Sequence, residues 1–195
     1  MNTTRKIPRP VTFLFWMTLL TGVVYPAAIT GIAQLAFREK ANGSLVRIQG
    51  EVRGSRLLSQ EFAGGGYFMA RPSATGYAYL GSAGSNLAAT NKALSAAAKG
   101  REDAWRARFG STAPAEMRYT SASGLDPDIS LEAALAQVGS VSRARGLSAT
   151  QETALVEAIR KAGKDATTII AIPRVNVMEL NFMLEADPAF RPAGK

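Results

Sequence analysis

Two residue types that most often do chemistry are missing from this chain of 195 residues: it has no cysteine and no histidine. Without thiols it cannot form a disulfide framework, an iron–sulfur cluster, a thiolate zinc site or a cysteine nucleophile. Without imidazole it loses the Ser-His-Asp triad and the usual transition-metal ligand, because no other side chain is as well poised for proton transfer near neutrality. Ser82, Ser85, Ser121 and Ser123 sit near glycines as some nucleophiles do. None lies in a G-x-S-x-G elbow, so a serine–lysine dyad is the one hydrolytic arrangement left. The internal Gly163-Lys164 pair is followed by Asp165 rather than Ser or Thr, and Gly64-Gly65-Gly66 does not extend to G-x-G-x-x-G. Neither phosphate-cradling loop is therefore present, and the glycine triplet reads as a flexible turn. Asp126 and Asp128 flank Pro127, too few oxygens for a calcium loop, and read as turn and cap residues. Independent catalysis is disfavoured, with no catalytic residue and no metal ligand set to assign.

Lys and Arg number 23 against 15 Asp and Glu, a net charge of +8, while 47% of residues are hydrophobic. That composition fits one domain, or one domain plus an anchor, and excludes wholesale disorder, a polytopic membrane protein and a collagen-like fibre. The positive charges are dispersed among acids, with no basic stripe beside aromatics, so nucleic acid is not an expected partner. Attraction to anionic lipid headgroups is the surviving use of the excess charge.

The charge is segregated along the chain: no Asp, Glu, Lys or Arg occurs from Val11 to Phe37. As a helix this segment reaches about 40 Å, against about 30 Å for a hydrocarbon core. A single transmembrane helix over residues 11–37 is expected, after a basic tail at 1–10 and before a soluble domain at 38–195. A cleaved signal peptide is the rival, since Arg5, Lys6 and Arg9 make a positive start; the apolar stretch is too long for one and lacks a clean A-x-A site. The short basic tail places the N-terminus in the cytoplasm and the bulk outside it. Pro26 lacks an amide hydrogen and crowds the carbonyl of Gly22, so a kink is expected there. Ala27 and Gly31, spaced as small-xxx-small with Thr30 beside them, suit close approach to another helix in lipid.

The soluble part reads as mixed α/β. Ser44–Gln49 and Glu51–Leu58 suggest a hairpin, with a turn at Gly50 and a bulge at Gly54. From Arg71 to Asn91 runs a long loop rich in Ser, Gly, Pro and Asn, of the kind that is often functional. A helix is expected from Asn91 to Phe109, weakened by Gly100, and then a strand over Met117–Ser121. An irregular stretch from Ser123 to Asp128 leads to a helix capped by Ser130 with Glu132 in its first turn. Ser148 and Gln151 form a capping box for the next helix, whose apolar face carries Leu155, Val156 and Ile159 and whose stop is Gly163. Thr167–Ile172 is a β-branched run. Pro173 introduces a final helix with Val177, Leu180 and Leu184, ended by Asp187-Pro188.

These pieces resemble one family, the C subunit of the Kdp-type high-affinity potassium-transporting P-type ATPase of bacterial inner membranes. In and after the membrane segment the likeness rests on Gly22-Val23-Val24-Tyr25-Pro26, Thr30-Gly31, Ala33-Gln34 and Ala41-Asn42-Gly43-Ser44-Leu45. It continues through Gly54-Ser55, Gln60, Phe62, Tyr67-Phe68, Arg71-Pro72-Ser73-Ala74, Gly84-Ser85-Asn86-Leu87 and Thr90-Asn91. It closes with Ser123-Gly124-Leu125-Asp126-Pro127, Ile129-Ser130, Gln137, Arg143-Ala144-Arg145-Gly146, Arg174-Val175-Asn176-Val177 and Glu179-Leu180-Asn181. The chain departs from the family pattern at Met69 and Asp128, where histidine is expected, at Gly139-Ser140 for Pro-Arg, at Ala83 for glycine, and at Ala88-Ala89 for Gly-Pro.

The resemblance implies a single-pass accessory subunit of the inner membrane with a periplasmic α/β domain, needed for assembly and stabilisation of an ATP-driven potassium uptake complex. Its implied partners are the catalytic P-type subunit and the potassium-binding, channel-like subunit. No cofactor is implied for this chain alone: ATP is reached through the catalytic subunit, whose ATP affinity the family is proposed to raise, and potassium is handled by the complex. Gly22, Pro26 and Gly31 are expected to shape the membrane contact, and Arg71, Ser85 and Asn86 to hold the loops or a partner. Two rivals from other classes are a membrane-anchored serine–lysine hydrolase and an envelope or lipid-surface binding module driven by basic charge.

Overall fold

The computed structural model describes residues 8–165 and 172–190. It divides into two compact units, Met1–Ser44 and Leu45–Lys195.

In the first unit, Pro8 lies just before a helix that runs from Arg9 to Ala36 with every residue exposed or half-buried. Its 28 residues amount to about 42 Å at 1.5 Å per residue, enough to cross a bilayer with tilt. The disruption expected from Pro26 takes a specific form. Helix α1, Arg9–Leu19, passes into a π-helical turn, Leu20–Val24, before α2, Tyr25–Ala36. The Tyr25 amide donates to the Leu20 carbonyl, five residues back, a widened turn in the residues that would crowd the proline ring. Thr21 Oγ1 returns a 2.7 Å bond to the Met17 carbonyl. A short helix α3, Arg38–Ala41, follows. Asn42 Nδ2 donates to the Arg38 carbonyl at 2.6 Å and to Gln34 Oε1 at 3.1 Å, joining the helix end to the Asn42-Gly43 turn.

The second unit opens with the expected hairpin: β1, Leu45–Ile48, pairs antiparallel with β2, Glu51–Ser55. Gln49 and Gly50 both have positive φ, 55° and 86°, as a two-residue I′ connection requires. The register slips between Val46 and Arg47, opposite Gly54 and Val52, which puts the bulge beside Gly54. A second antiparallel pair joins β3, Asp128–Ser130, to β4, Arg174–Asn176. Both ladders are two-stranded and helices supply most of the rest: α4, Lys92–Phe109; α5, Ala115–Arg118; α6, Leu131–Arg145; α7, Ala149–Asp165; and α8, Val177–Ala186.

The caps follow the sequence closely. Asn91, Ser130 and Asn176 each accept a bond from the first turn of α4, α6 and α8. Ser148 and Gln151 form the reciprocal box, the Gln151 amide donating to Ser148 Oγ and the Ser148 amide to Gln151 Oε1. The core lies where α6, α7, α8 and the β3–β4 ladder meet, and Ile129, Ala133, Val141, Leu155, Ile159 and Leu184 are fully buried. Burying a side chain such as Leu155 or Ile159 contributes about 1.5–3 kcal/mol.

Three expectations need correction. Met117–Ser121 is not a strand: Pro114 has φ −52° and precedes the single helical turn α5, of which Met117 is the buried residue. Gly163 does not stop α7, which continues to Asp165; a Cβ there would stand 3.3 Å from Leu131 Cδ1 and 3.6 Å from Val175 Cγ2, so the glycine lets helix and ladder approach closely. Pro173 leads first into strand β4 and only then into α8. The β-branched run lies outside the described residues except for Ile172, which is exposed.

Candidate functional site

Segment 66–71 leads into the long loop and has no strand beside it, yet both backbone groups of Phe68 and of Met69 are paired. Asn181, fully buried on α8, accepts the Phe68 amide at 2.9 Å and donates Nδ2 to the Phe68 carbonyl at 3.0 Å. Gln137, fully buried on α6, does the same for Met69, at 2.7 and 3.1 Å. The two amides replace a neighbouring strand. Arg145, 8% exposed at the end of α6, directs its guanidinium to three carbonyls, of Gly66 and Phe190 at 3.1 Å each and of Leu184. Its charge is also carried by the Tyr67 ring, 5.4 Å away.

Beyond this clamp the loop turns back on itself. Ser73 Oγ accepts the amides of Thr75 and Tyr77, and the Tyr77 hydroxyl donates to the Arg71 carbonyl at 3.0 Å. Burial is the main cause holding the Tyr77 hydroxyl above the ordinary phenol range, with Glu61 adding to it. The second irregular stretch packs alongside. The Ala83 amide and Ser82 hydroxyl both donate to the Ser123 carbonyl at 3.0 Å, and the Ser121 amide to the Pro72 carbonyl at 3.1 Å. Gly124, at φ 71°, is required twice over, because a Cβ there would stand 2.8 Å from the Ala83 carbonyl oxygen.

Charge fastens the two loops. Arg71 Nη1 meets Asp126 Oδ2 at 3.1 Å, and Arg174 stands 3.6 Å from the same oxygen and 3.8 Å from Glu116. Arg174 also donates to the Asp128 carbonyl at 2.7 Å, while Glu116 accepts the Ser130 amide at 2.6 Å. Asp126 Oδ1 accepts the Asp128 amide at 3.1 Å, the turn role read from the sequence. Burial raises the Asp128 carboxyl above the ordinary range and the Asp126 charge raises it further; Arg174 and a bond with Asn176 oppose them.

The expected site residues thus divide. Arg71 is built into the interlocked loops. Ser85 is half-buried, and Asn86 is exposed at φ 52° on the outer run of the same loop. Neither makes a side-chain hydrogen bond among the described residues. Gly22, Pro26 and Gly31 are exposed on the N-terminal helix, and a Cβ at either glycine would meet nothing within 4 Å. Of the departures, Met69 Sδ accepts from Arg108 at 2.9 Å and Gly139 lies within α6. Ala83 is tied to Ser123, while Ala88 and Ala89 are exposed. The clamping roles of Gln137, Asn181 and Arg145 were not read from the residues, although a lone amide between Ala134 and Val138, or between Leu180 and Phe182, signals a polar group on a buried face.

No cluster of three or more carboxylates occurs among the described residues. The arrangement is a pair of irregular stretches fastened to each other by hydrogen bonds and ion pairs.

The family model "K+-transporting ATPase, c chain" matches residues 7–186. A Klebsiella pneumoniae "Potassium-transporting ATPase KdpC subunit" is 45% identical over 185 residues, 91% of this chain and 96% of that protein. The Rhodopseudomonas palustris KdpC subunit is 43% identical over 93% of this chain and 98% of its own length. The one from Pseudomonas putida GB-1 is 45% identical over 87% and 90%. With its apolar 28-residue helix, its α/β unit and a family match over nearly its whole length, the chain belongs to the KdpC family, the c chain of K+-transporting ATPases.

Proposed function

We propose that this chain is the non-catalytic, single-pass accessory subunit of a potassium-transporting ATPase, and that its work is assembly and stabilisation of the complex. The family match across residues 7–186 carries this reading. The apolar helix supports it: Ala27 and Gly31, four residues apart, share one face on which a partner helix can approach closely, and a Cβ at Gly31 would meet nothing within 4 Å. The interlocked loops around Arg71 and Asp126, with Ser85 and Asn86 on their outer run, form the contact surface of the outer unit. The partners are the catalytic P-type subunit and the potassium-binding, channel-like subunit. The short basic tail stays in the cytoplasm and residues 38–195 lie in the periplasm. In that orientation an effect on the catalytic subunit's ATP affinity is transmitted through the membrane contact, since the outer unit and cytoplasmic nucleotide are on opposite sides.

The test is a mild-detergent pull-down of the tagged full-length chain from potassium-starved cells, washed with salt and read by mass spectrometry. Recovery of a P-type ATPase and its ion-binding subunit is expected. Recovery of the chain alone, with those subunits present in the lysate, would overturn the reading.

A further inference from the structure

One face of α4 looks onto loop residues Met69, Pro72, Ser73 and Tyr77 across a cleft. Arg101, Trp105 and Arg108 are spaced to share that face, and the cleft beneath it is about 420 Å³, within the roughly 300–1,000 Å³ of small-molecule sites. Its floor and walls are apolar: Trp105, Phe109, Met117, Tyr77 and the Met69 side chain. Trp105 and Met117 are almost fully buried, and the Trp105 and Phe109 rings lie 4.2 Å apart at their centroids.

Two guanidinium groups join this apolar lining, and neither forms an ion pair among the described residues. Arg101 donates to the Arg118 carbonyl at 3.0 Å. Arg108, half-buried, donates to the Met69 thioether at 2.9 Å and the Tyr67 carbonyl at 3.4 Å and lies over the Phe109 ring, 5.1 Å from its centroid, contacts that leave its charge without an anionic partner. Its desolvation draws its pKa below the usual guanidinium value. Glu61 is the acid facing this region; it lines an adjoining pocket of about 100 Å³ and is itself exposed. An apolar chamber with unneutralised guanidinium groups complements a molecule with one anionic end and an apolar body. An inorganic anion would leave the apolar lining unfilled, and a neutral hydrocarbon would leave the charges unmatched.

We propose that this cleft binds a single-chain amphiphilic carboxylate, its headgroup on Arg101 and Arg108 and its chain against Trp105, Phe109 and Met117.

Trp105 provides the readout. The chain has two tryptophans, so Trp16→Phe leaves Trp105 as the sole reporter. The full-length Trp16→Phe protein in zwitterionic nanodiscs is titrated with octanoate, and separately with octanol, against free ligand measured by equilibrium dialysis. Octanoate is expected to change Trp105 emission saturably and to bind about five- to tenfold more tightly than octanol, the range for a charge-assisted headgroup contact. Arg101→Gln with Arg108→Gln should abolish that preference while leaving octanol binding in place. Arg101→Lys with Arg108→Lys should retain much of it, and Ala104→Phe, at an exposed lining position, should weaken both ligands by filling the cleft. Equal affinities for octanoate and octanol, an absence of saturation with octanoate, or a preference unchanged in the folded Gln variant would overturn the proposal. Should the Gln variant not fold, the octanoate–octanol comparison on the parent protein decides it.

Discussion

At the scale of single residues, polar side chains in the core replace secondary structure. Asn181 and Gln137 each satisfy both peptide groups of one loop residue, so Asn181→Leu leaves the Phe68 amide and carbonyl buried and unpaired. A loss of about 1–3 kcal/mol is expected, read as a lower urea midpoint of the full chain with unchanged slope. Asp128 is a different case. Its carboxyl is raised in the folded protein, by burial first and by Asp126 second. The native state therefore holds this proton to higher pH than the unfolded chain does. The stability the group contributes is present below the ordinary carboxylate pKa and is lost as pH rises through the raised native value. Asp128→Asn should flatten that part of the stability–pH profile and leave the protein relatively more stable near neutrality. Urea unfolding followed from acid to neutral pH checks it, and an unchanged slope against pH would reject this role for Asp128.

At the scale of elements, caps and turns decide where helices begin, and packing decides where some of them stop. The Asn91, Ser130 and Ser148 starts are local events: a side-chain oxygen meets amides two or three residues ahead whatever the rest of the chain does. Gly163 reads as a stop by the same local logic, but there the close approach of Leu131 and Val175 fixes the glycine inside α7. Gly100 has no such neighbour: a Cβ there would meet nothing within 4 Å. Gly100→Ala should therefore stabilise the second unit by about 1 kcal/mol, the ordinary helix-interior difference, measured by thermal melting. A loss of stability would show that α4 needs the glycine for a contact. The apolar N-terminal helix follows a parallel rule, with Pro26 absorbed by a π-helical turn rather than by ending the helix.

At the scale of the whole molecule, the chain comprises an apolar N-terminal helix and a domain whose two long loops are locked to each other by the Arg71–Asp126–Arg174 charges and the Gly124 approach. Replacing Gly22 and Gly31 together by Leu should separate the chain from its complex by blocking close helix approach. The fold of the second unit should persist, because both glycines lie in the first and a Cβ at either would meet nothing within 4 Å. Co-purification of the partner subunits measures the first effect and a thermal melt the second; unchanged co-purification would sink the membrane-contact reading. Some of this was legible from residue order alone. The charge-free run from Val11 to Phe37 has a meaning in lipid that needs no tertiary structure, and caps, turns and the Gln49-Gly50 hairpin act over a few residues. The absence of cysteine and histidine likewise removes whole classes of chemistry before any fold is known. Only the tertiary structure decided that Gln137 and Asn181 serve as a strand, that Arg145 donates to three distant carbonyls, and that Arg101 and Arg108 flank an apolar cleft. Each joins groups far apart in sequence, such as Phe68 and Asn181, 113 residues apart, and local pattern carries no information about which distant backbone a buried side chain will meet.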